Sequence, residues 1–341
     1  MRKLLALLVI VSCGLGIECR EAMAALVVFG DSLSDSGNLY RRFGAHLDPA
    51  TWPFNPANPI SPLPAPPYDP GRASNGPVWI EHLSQRLGYG PLMPSLAGGT
   101  NHAQIMSLVR EDPGAGIVSL LQSPDLDTQV AGYLASHVPA ADDLFVLWGG
   151  ANDFFSGQSD PLVPVAALAE QITALKQAGA AKFVIPNLPM LGLTPSGAVE
   201  DTESLNQLST AFNAALASTI ADLRTDLGVT IHELDVNGFF QQALADPAAF
   251  GLTNVEDPAL AVNLDPESLL FGFPLYPLSV VSNPDEYLYW DSLHPTAAAH
   301  EMLADWAYAQ IVPEPAAMAL LAVWCAIGAA AISLSSRRGA A

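Results

Sequence analysis

The sequence predicts one α/β domain built on a parallel sheet with helices on both faces. Three observations predict it. Short runs at Ala25–Phe29, Leu144–Leu147, Phe183–Ile185 and Val229–Leu234 read as strands, the first of them apolar and buried. Apolar residues return at helical spacing between them: Val165, Leu168, Ile172 and Leu175 before Gly179, then Leu205, Leu208, Phe212 and Leu216. Strands separated by helices of this length need right-handed crossovers, and the 341 residues, half of them hydrophobic, suffice for one large core.

Taken in order, the chain begins with Arg2 and Lys3, an apolar run from Leu4 to Ile17, and the small-x-small triplet Ala22-Met23-Ala24. That is the layout of a secretory signal peptide over residues 1–24. Lipidation at Cys13, within Ile10-Val11-Ser12-Cys13, is the alternative. The first strand ends at Gly30. Nine prolines between Asp48 and Pro70 then exclude regular structure and read as a long surface loop. Helical order returns at Asn75-Gly76-Pro77, with Pro77 suited to a first helical position, Leu83 and Leu87 on one face, and Gly88 to end it. The last helix is expected from Thr296 to Gln310, closing a domain of residues 25–311. Beyond it, Ala316–Ser336 is apolar and close to the ~20 residues that cross a bilayer. Arg337 and Arg338 follow, and the positive-inside rule keeps them cytoplasmic.

The charge balance is strongly acidic: 13 Lys and Arg against 34 Asp and Glu, a net charge of -21. Nucleic-acid binding requires a basic footprint, and docking on anionic head groups requires the same, so both classes are disfavoured. The three cysteines, Cys13, Cys19 and Cys325, all lie in the terminal segments. The domain between them therefore has neither a disulfide nor a thiol nucleophile.

Three segments carry candidate chemistry. The first strand runs into Gly30-Asp31-Ser32-Leu33-Ser34-Asp35-Ser36-Gly37-Asn38. Ligands of open α/β sheets bind beyond the carboxyl ends of strands, so a serine there, at the expected start of a helix, is placed for nucleophilic work. Alone, the segment is equally a polar turn or cap. Trp290-Asp291-Ser292-Leu293-His294-Pro295 supplies what a serine hydroxyl lacks, a histidine base with a carboxylate to orient it. The other six histidines (His46, His82, His102, His137, His232 and His300) read as structural or solvated. Trp148-Gly149-Gly150-Ala151-Asn152-Asp153 follows a strand, and Asn152 offers an amide of the kind that stabilises an oxyanion.

In this order, Gly-Asp-Ser-Leu, Gly-x-Asn-Asp and Asp-x-x-His resemble the first, third and fifth signature blocks of the GDSL (SGNH) hydrolases. Phe29–Asn38, Ser74-Asn75-Gly76-Pro77-Val78-Trp79 and Tyr287–Thr296 are similar to a bacterial branch of that family related to secreted and autotransporter esterases. The resemblance implies a three-layer α/β/α sandwich with a central parallel sheet, flavodoxin-like, with no metal and no cofactor. It further implies hydrolysis of acyl esters through an acyl-serine intermediate, with Ser32 as nucleophile, His294 as base, Asp291 as its orienting carboxylate, and an oxyanion hole formed by Ser32, Asn152 and Met106. The second block departs from the family pattern: Asn101-His102-Ala103-Gln104-Ile105-Met106 has Ile105 and Met106 where glycines are usual. A backbone N–H survives that change, but a bulky side chain can narrow the pocket or tilt the amide.

Val312-Pro313-Glu314-Pro315, the apolar span and the Arg337-Arg338 end resemble the PEP-CTERM sorting signal of Gram-negative bacteria. This implies that residues 312–341 are recognised and removed by an exosortase-type enzyme, after transient anchoring in the inner membrane, on the way to the cell surface or extracellular matrix. Two other functions stay open: a non-catalytic matrix protein on the same fold, and a carbohydrate O-acetyl esterase acting on exopolysaccharide. Trp52, Phe54 and Tyr68 of the proline-rich loop, and the stretch from Phe250 to Asp291, are expected to line the substrate cleft.

Overall fold

Four strands, β1 (Leu26–Gly30), β2 (Leu144–Trp148), β3 (Lys182–Pro186) and β4 (Thr230–Leu234), pair side by side in chain order. All pairings are parallel, with Leu26 beside Leu144, Phe145 beside Phe183 and Pro186 beside Leu234. Every residue of β1 and β2 is buried, which is why these runs are uniformly apolar rather than alternating. The computed structural model describes residues 24–44, 67–110, 123–198, 201–262 and 278–312.

The segment from Thr100 to Gln104 adds a short parallel edge on the other side of β1. Val28 N donates to Thr100 O (3.0 Å), His102 N to Val28 O (2.7 Å) and Gln104 N to Gly30 O (3.0 Å). The chain therefore leaves β1 first to one side and then, at β2, to the other. Such a switch point opens a crevice beyond the carboxyl end of the strand, where Ser32 follows Gly30.

The helices are α1 (Asn38–Gly44), α2 (Trp79–Arg86), α3 (Leu126–Leu134), α4 (Ala151–Phe155), α5 (Leu162–Ala178), α6 (Thr202–Leu227), α7 (Val236–Ala245) and α8 (Ala297–Ile311). On one side of the sheet α8 packs against α2 and α7; on the other α5 packs against α3 and α6. This is the expected three-layer arrangement. The ends follow capping chemistry: Asp201 and Thr296 accept from the amides of Ser204 and Ala299, and α5 stops at Gly179, whose φ is +129°.

Two boundaries differ from the sequence expectation. Helix α2 begins at Trp79 rather than Pro77, because Val78 N donates to Glu81 Oε2 (3.0 Å) and closes the first turn there. Ser32 does not start a helix. It lies in a tight turn in which Ser34 N and Asp35 N both donate to Asp31 O, and α1 begins six residues later. The carboxylate of Asp35 decides this by accepting from Gly37, Asn38 and Leu39, which makes Asp35 the cap of α1. Two small sheets were not read from the sequence: β5 (Asn254–Pro258) with β8 (Tyr287–Tyr289), and β6 (Leu260–Val262) with β7 (Leu278–Val280). They are short and carry no clear period.

The expected leader up to Met23, the proline-rich loop as far as Pro66, and the apolar span from Ala316 lie outside the described residues. Among the described residues, no helix is long and apolar enough to cross a membrane.

Candidate active site

Ser32, Asp291 and His294, 262 positions apart at their extremes, converge at the carboxyl end of β1. His294 Nε2 lies 2.9 Å from Ser32 Oγ, and His294 Nδ1 lies 2.8 Å from Asp291 Oδ2 and 3.0 Å from Oδ1. An ionised carboxylate only accepts, so Nδ1 carries the ring hydrogen and Nε2 is left to accept from the Ser32 hydroxyl. Asp291 is oriented in turn, since its Oδ1 accepts from the amides of Leu293 (2.8 Å) and His294 (2.7 Å).

The electrostatics favour this polarity. Burial alone lowers the pKa of His294, but the charge of Asp291, its hydrogen bond and the nearby Asp31 outweigh that and hold the imidazole above its ordinary value. Burial works against the Asp291 carboxylate, yet His294 and the two backbone amides hold it below the usual range. Asp31 is pushed up to about 6 by burial, opposed by the amide of Leu33 and by His294. His300, beside this site, is pushed down to about 3 by burial and by His294, and its Nδ1 accepts from Trp79 N. It is structural, as expected.

Ser32, Asn152 and His294 face a cleft whose other walls include Trp148, Leu188, Leu191, Phe240 and Tyr289. One N–H of the Asn152 amide donates to Ser107 O (3.0 Å), which fixes the plane of the amide. Gly30 is required at the end of β1 because a Cβ there would stand 2.7 Å from Trp148 O.

The altered second block, Asn101 to Met106, leaves the sheet edge in a turn from Gln104 to Val109. Buried carboxylates pin it: Ile105 N donates to Asp35 (3.1 Å), Leu108 N to Asp125 (2.9 Å) and Val109 N to Asp153 (3.1 Å). Burial, opposed by that amide, pushes Asp153 up to about 7. At the apex Met106 takes φ +67°, the sole positive φ of a non-glycine side chain among the described residues. The chain thus adopts there the left-handed conformation that a glycine takes freely. The Met106 side chain packs beside Leu39, Ala73 and Ile105 and is not among the residues lining the cleft. Of the amides from 104 to 109, Met106 N–H is the one without a partner among the described residues.

Some of the site was not legible beforehand. Tyr68, expected to face substrate, instead donates its hydroxyl to Asp291 Oδ2 (2.8 Å). Of the stretch from Phe250 to Asp291, Tyr289 does line the cleft, whereas Leu188, Leu191 and Phe240 carried no signal beyond ordinary core periodicity. Among the described residues, no cluster of three or more His, Cys, Asp or Glu side chains is arranged to hold a metal ion.

The family model of the GDSL-like lipases/acylhydrolases matches residues 26–307. The chain is 26% identical over 324 residues to a phosphatidylcholine-sterol acyltransferase of Aeromonas hydrophila, a match covering 84% of this chain and 90% of that one. It is 25% identical over 342 residues to a GDSL esterase/lipase of Arabidopsis thaliana, covering 86% and 89%. A solved structure of a lipolytic G-D-S-L family protein from Veillonella parvula aligns with 85% of this chain and 98% of its own, at 12% identity and a TM-score of 0.43.

Proposed function

This chain belongs to the GDSL-like lipase/acylhydrolase family, and on that premise we propose that it is an exported serine ester hydrolase acting through an acyl-Ser32 intermediate. The observation that carries the reading is the unbroken hydrogen-bonded series Ser32–His294–Asp291 opening on an apolar cleft. As Ser32 Oγ attacks the ester carbonyl, its proton passes to His294 Nε2, and Asp291 stabilises the imidazolium that forms. The oxyanion is held by the Asn152 amide and the backbone N–H of Ser32, with Met106 N–H as a third donor. The carbon–oxygen bond to the alcohol then breaks, and His294 returns its proton to that oxygen. Water attacks the acyl group through the same steps in reverse order, releasing the acid and restoring Ser32. No metal enters the scheme.

The cleft walls favour an apolar acyl group, since they offer few polar partners for a hydroxylated one. A second reading follows from the acyltransferase relative: the acyl group passes to an alcohol instead of water, through the same intermediate. In the proposed setting, the domain of residues 25–311 is exported behind residues 1–24. The tail of residues 312–341 then delivers it through an exosortase-type enzyme to the surface or matrix of a Gram-negative cell. What supports this is the three-part order of each terminal segment, and mass spectrometry of the secreted protein's two ends tests it.

Hydrolysis of p-nitrophenyl esters from acetyl to dodecanoyl, by wild type and Ser32→Ala, tests the chemistry. The substitution is expected to lower kcat by at least about 10⁴-fold. A folded variant with wild-type turnover overturns the serine mechanism. Added alcohols that divert product into new esters favour the transfer reading.

A further inference from the structure

We infer that Tyr68 is a positioning residue for the catalytic base, its hydroxyl holding the Asp291 carboxylate in the orientation His294 needs. The inference rests on the serine mechanism proposed above. Asp291 Oδ1 is fixed by two amides of its own loop, but Oδ2, the oxygen closer to His294 Nδ1, receives no backbone bond among the described residues. Carboxylate torsions have broad minima, so a second fixed donor is needed to set the plane. Tyr68 Oη supplies it at 2.8 Å. Burial, together with the Asp291 charge, pushes the ionisation of the phenol far upward, so it remains a donor throughout the working pH range.

Tyr68 is itself held. Its ring meets Trp290 edge-on, with centroids 5.8 Å apart and planes at 84°, and Trp290 is buried. The residues after it form a strap against the base loop. Asp69 N donates to Ser74 O (2.9 Å), and Arg72 pairs with both Asp69 and Glu81. Ser74 Oγ donates to Pro295 O (2.9 Å), and Asn75 Oδ1 accepts from Ala297 N (2.7 Å). Gly76 permits the close approach, because a Cβ there would stand 2.7 Å from Ala297 Cβ. The Ser-Asn-Gly-Pro segment, to which the catalytic steps assign no role, thus has one: it is the clamp that keeps Tyr68 and the Asp291–His294 loop in register.

The test is Tyr68→Phe, which keeps the ring on Trp290 and removes the hydroxyl alone, measured in the wild-type and Asp291→Ala backgrounds. In wild type, kcat is expected to fall about tenfold with KM little changed, the effect of one hydrogen bond to a charged group. The acid limb of kcat/KM is expected to move to higher pH, since a carboxylate freed from the phenol stabilises the imidazolium more strongly. Asp31, which also acts on His294, and His300, which feels the charge of His294, are untouched. In the Asp291→Ala background the same substitution is expected to change kcat by less than about twofold, because its target is gone. An equal loss in both backgrounds, or wild-type kcat and pH limb in Tyr68→Phe, overturns the inference. A shared loss accompanied by a lowered melting temperature assigns Tyr68 a packing role only. Full activity in Ser32→Ala would instead remove the mechanism on which the inference stands, so the two failures are distinguishable.

Discussion

The turn that carries Ser32 and the loop that carries His294 come within 2.9 Å of each other, yet their ties to the rest of the chain differ in reach. The Ser32 turn is organised largely at short range. Asp35 accepts from Gly37 (2.8 Å), Asn38 (2.6 Å) and Leu39 (3.1 Å), all within four residues of itself. It reaches beyond its neighbours for the Ile105 amide, and Asn38 and Asn101 extend the same network to the edge segment of the sheet. The His294 loop has local bonds as well, from the amides of Leu293 and His294 to Asp291, but it is also tied by side chains far away in the chain. Tyr68, Ser74 and Asn75 tie it at separations of 223, 221 and 222 residues. The Ser32 turn is therefore held by its own neighbours together with the edge segment, whereas the His294 loop is tied to the strap more than 200 residues away.

The largest break in this contrast is expected from Asp35→Ala, which strips four buried amides of their acceptor. Urea unfolding should show a loss of roughly 3–5 kcal/mol, against about 1 kcal/mol for Ser74→Ala on the base side. Equal losses would mean that the two arms are secured alike.

The pH profile sharpens the electrostatic side of the comparison. Because Asp291 and Asp31 raise the pKa of His294 against the effect of burial, the acid limb of kcat/KM should lie above the ordinary histidine value of 6.5. The sign for stability is the reverse of that for activity. A raised histidine contributes stability that is fully present below 6.5 and lost as pH rises through the raised value, so the enzyme is most active where that contribution has gone. An acid limb well below 6.5 would show that burial of His294 outweighs its carboxylate partner.

The smallest effect concerns Met106, on the nucleophile side. Met106→Gly and Met106→Ala both remove the side chain from Leu39, Ala73 and Ile105, but only glycine relieves the positive φ. Thermal or urea unfolding should find the glycine variant more stable than the alanine variant by about 1 kcal/mol. The opposite order would place Met106 outside the left-handed region.

Much of the molecule was legible because its signals are local. Strands β1 and β2 are apolar throughout, as a sheet covered on both faces requires, and β2 to β4 are within a residue or two of where the runs place them. Helix α8 begins one residue after Thr296, which its cap chemistry announces. The misread elements lacked such signals. The edge segment from Thr100 to Gln104 is polar and joins the sheet through bonds to Val28 and Gly30. Ser32 was expected at a helix start, and the competing interaction was a single carboxylate, Asp35, that captures three amides farther along. The substitution of Met106 for a family glycine suggested a narrowed pocket. The turn instead keeps the glycine-like backbone, because Asp35, Asp125 and Asp153 pin the amides on both sides of it.

The sequence by itself determined the layered α/β architecture and the identities of Ser32, Asn152, Asp291 and His294 as candidates. Hydrophobic period, capping residues and short chemical motifs are all properties of neighbouring residues. Only the tertiary structure decided that Ser32 and His294 meet, that the Met106 side chain turns away from the cleft, and that Tyr68 reaches Asp291 rather than substrate. Each of these depends on a hydrogen bond or contact between segments far apart in the chain, and such a partner is chosen by how the layers close, not by the residues on either side of it.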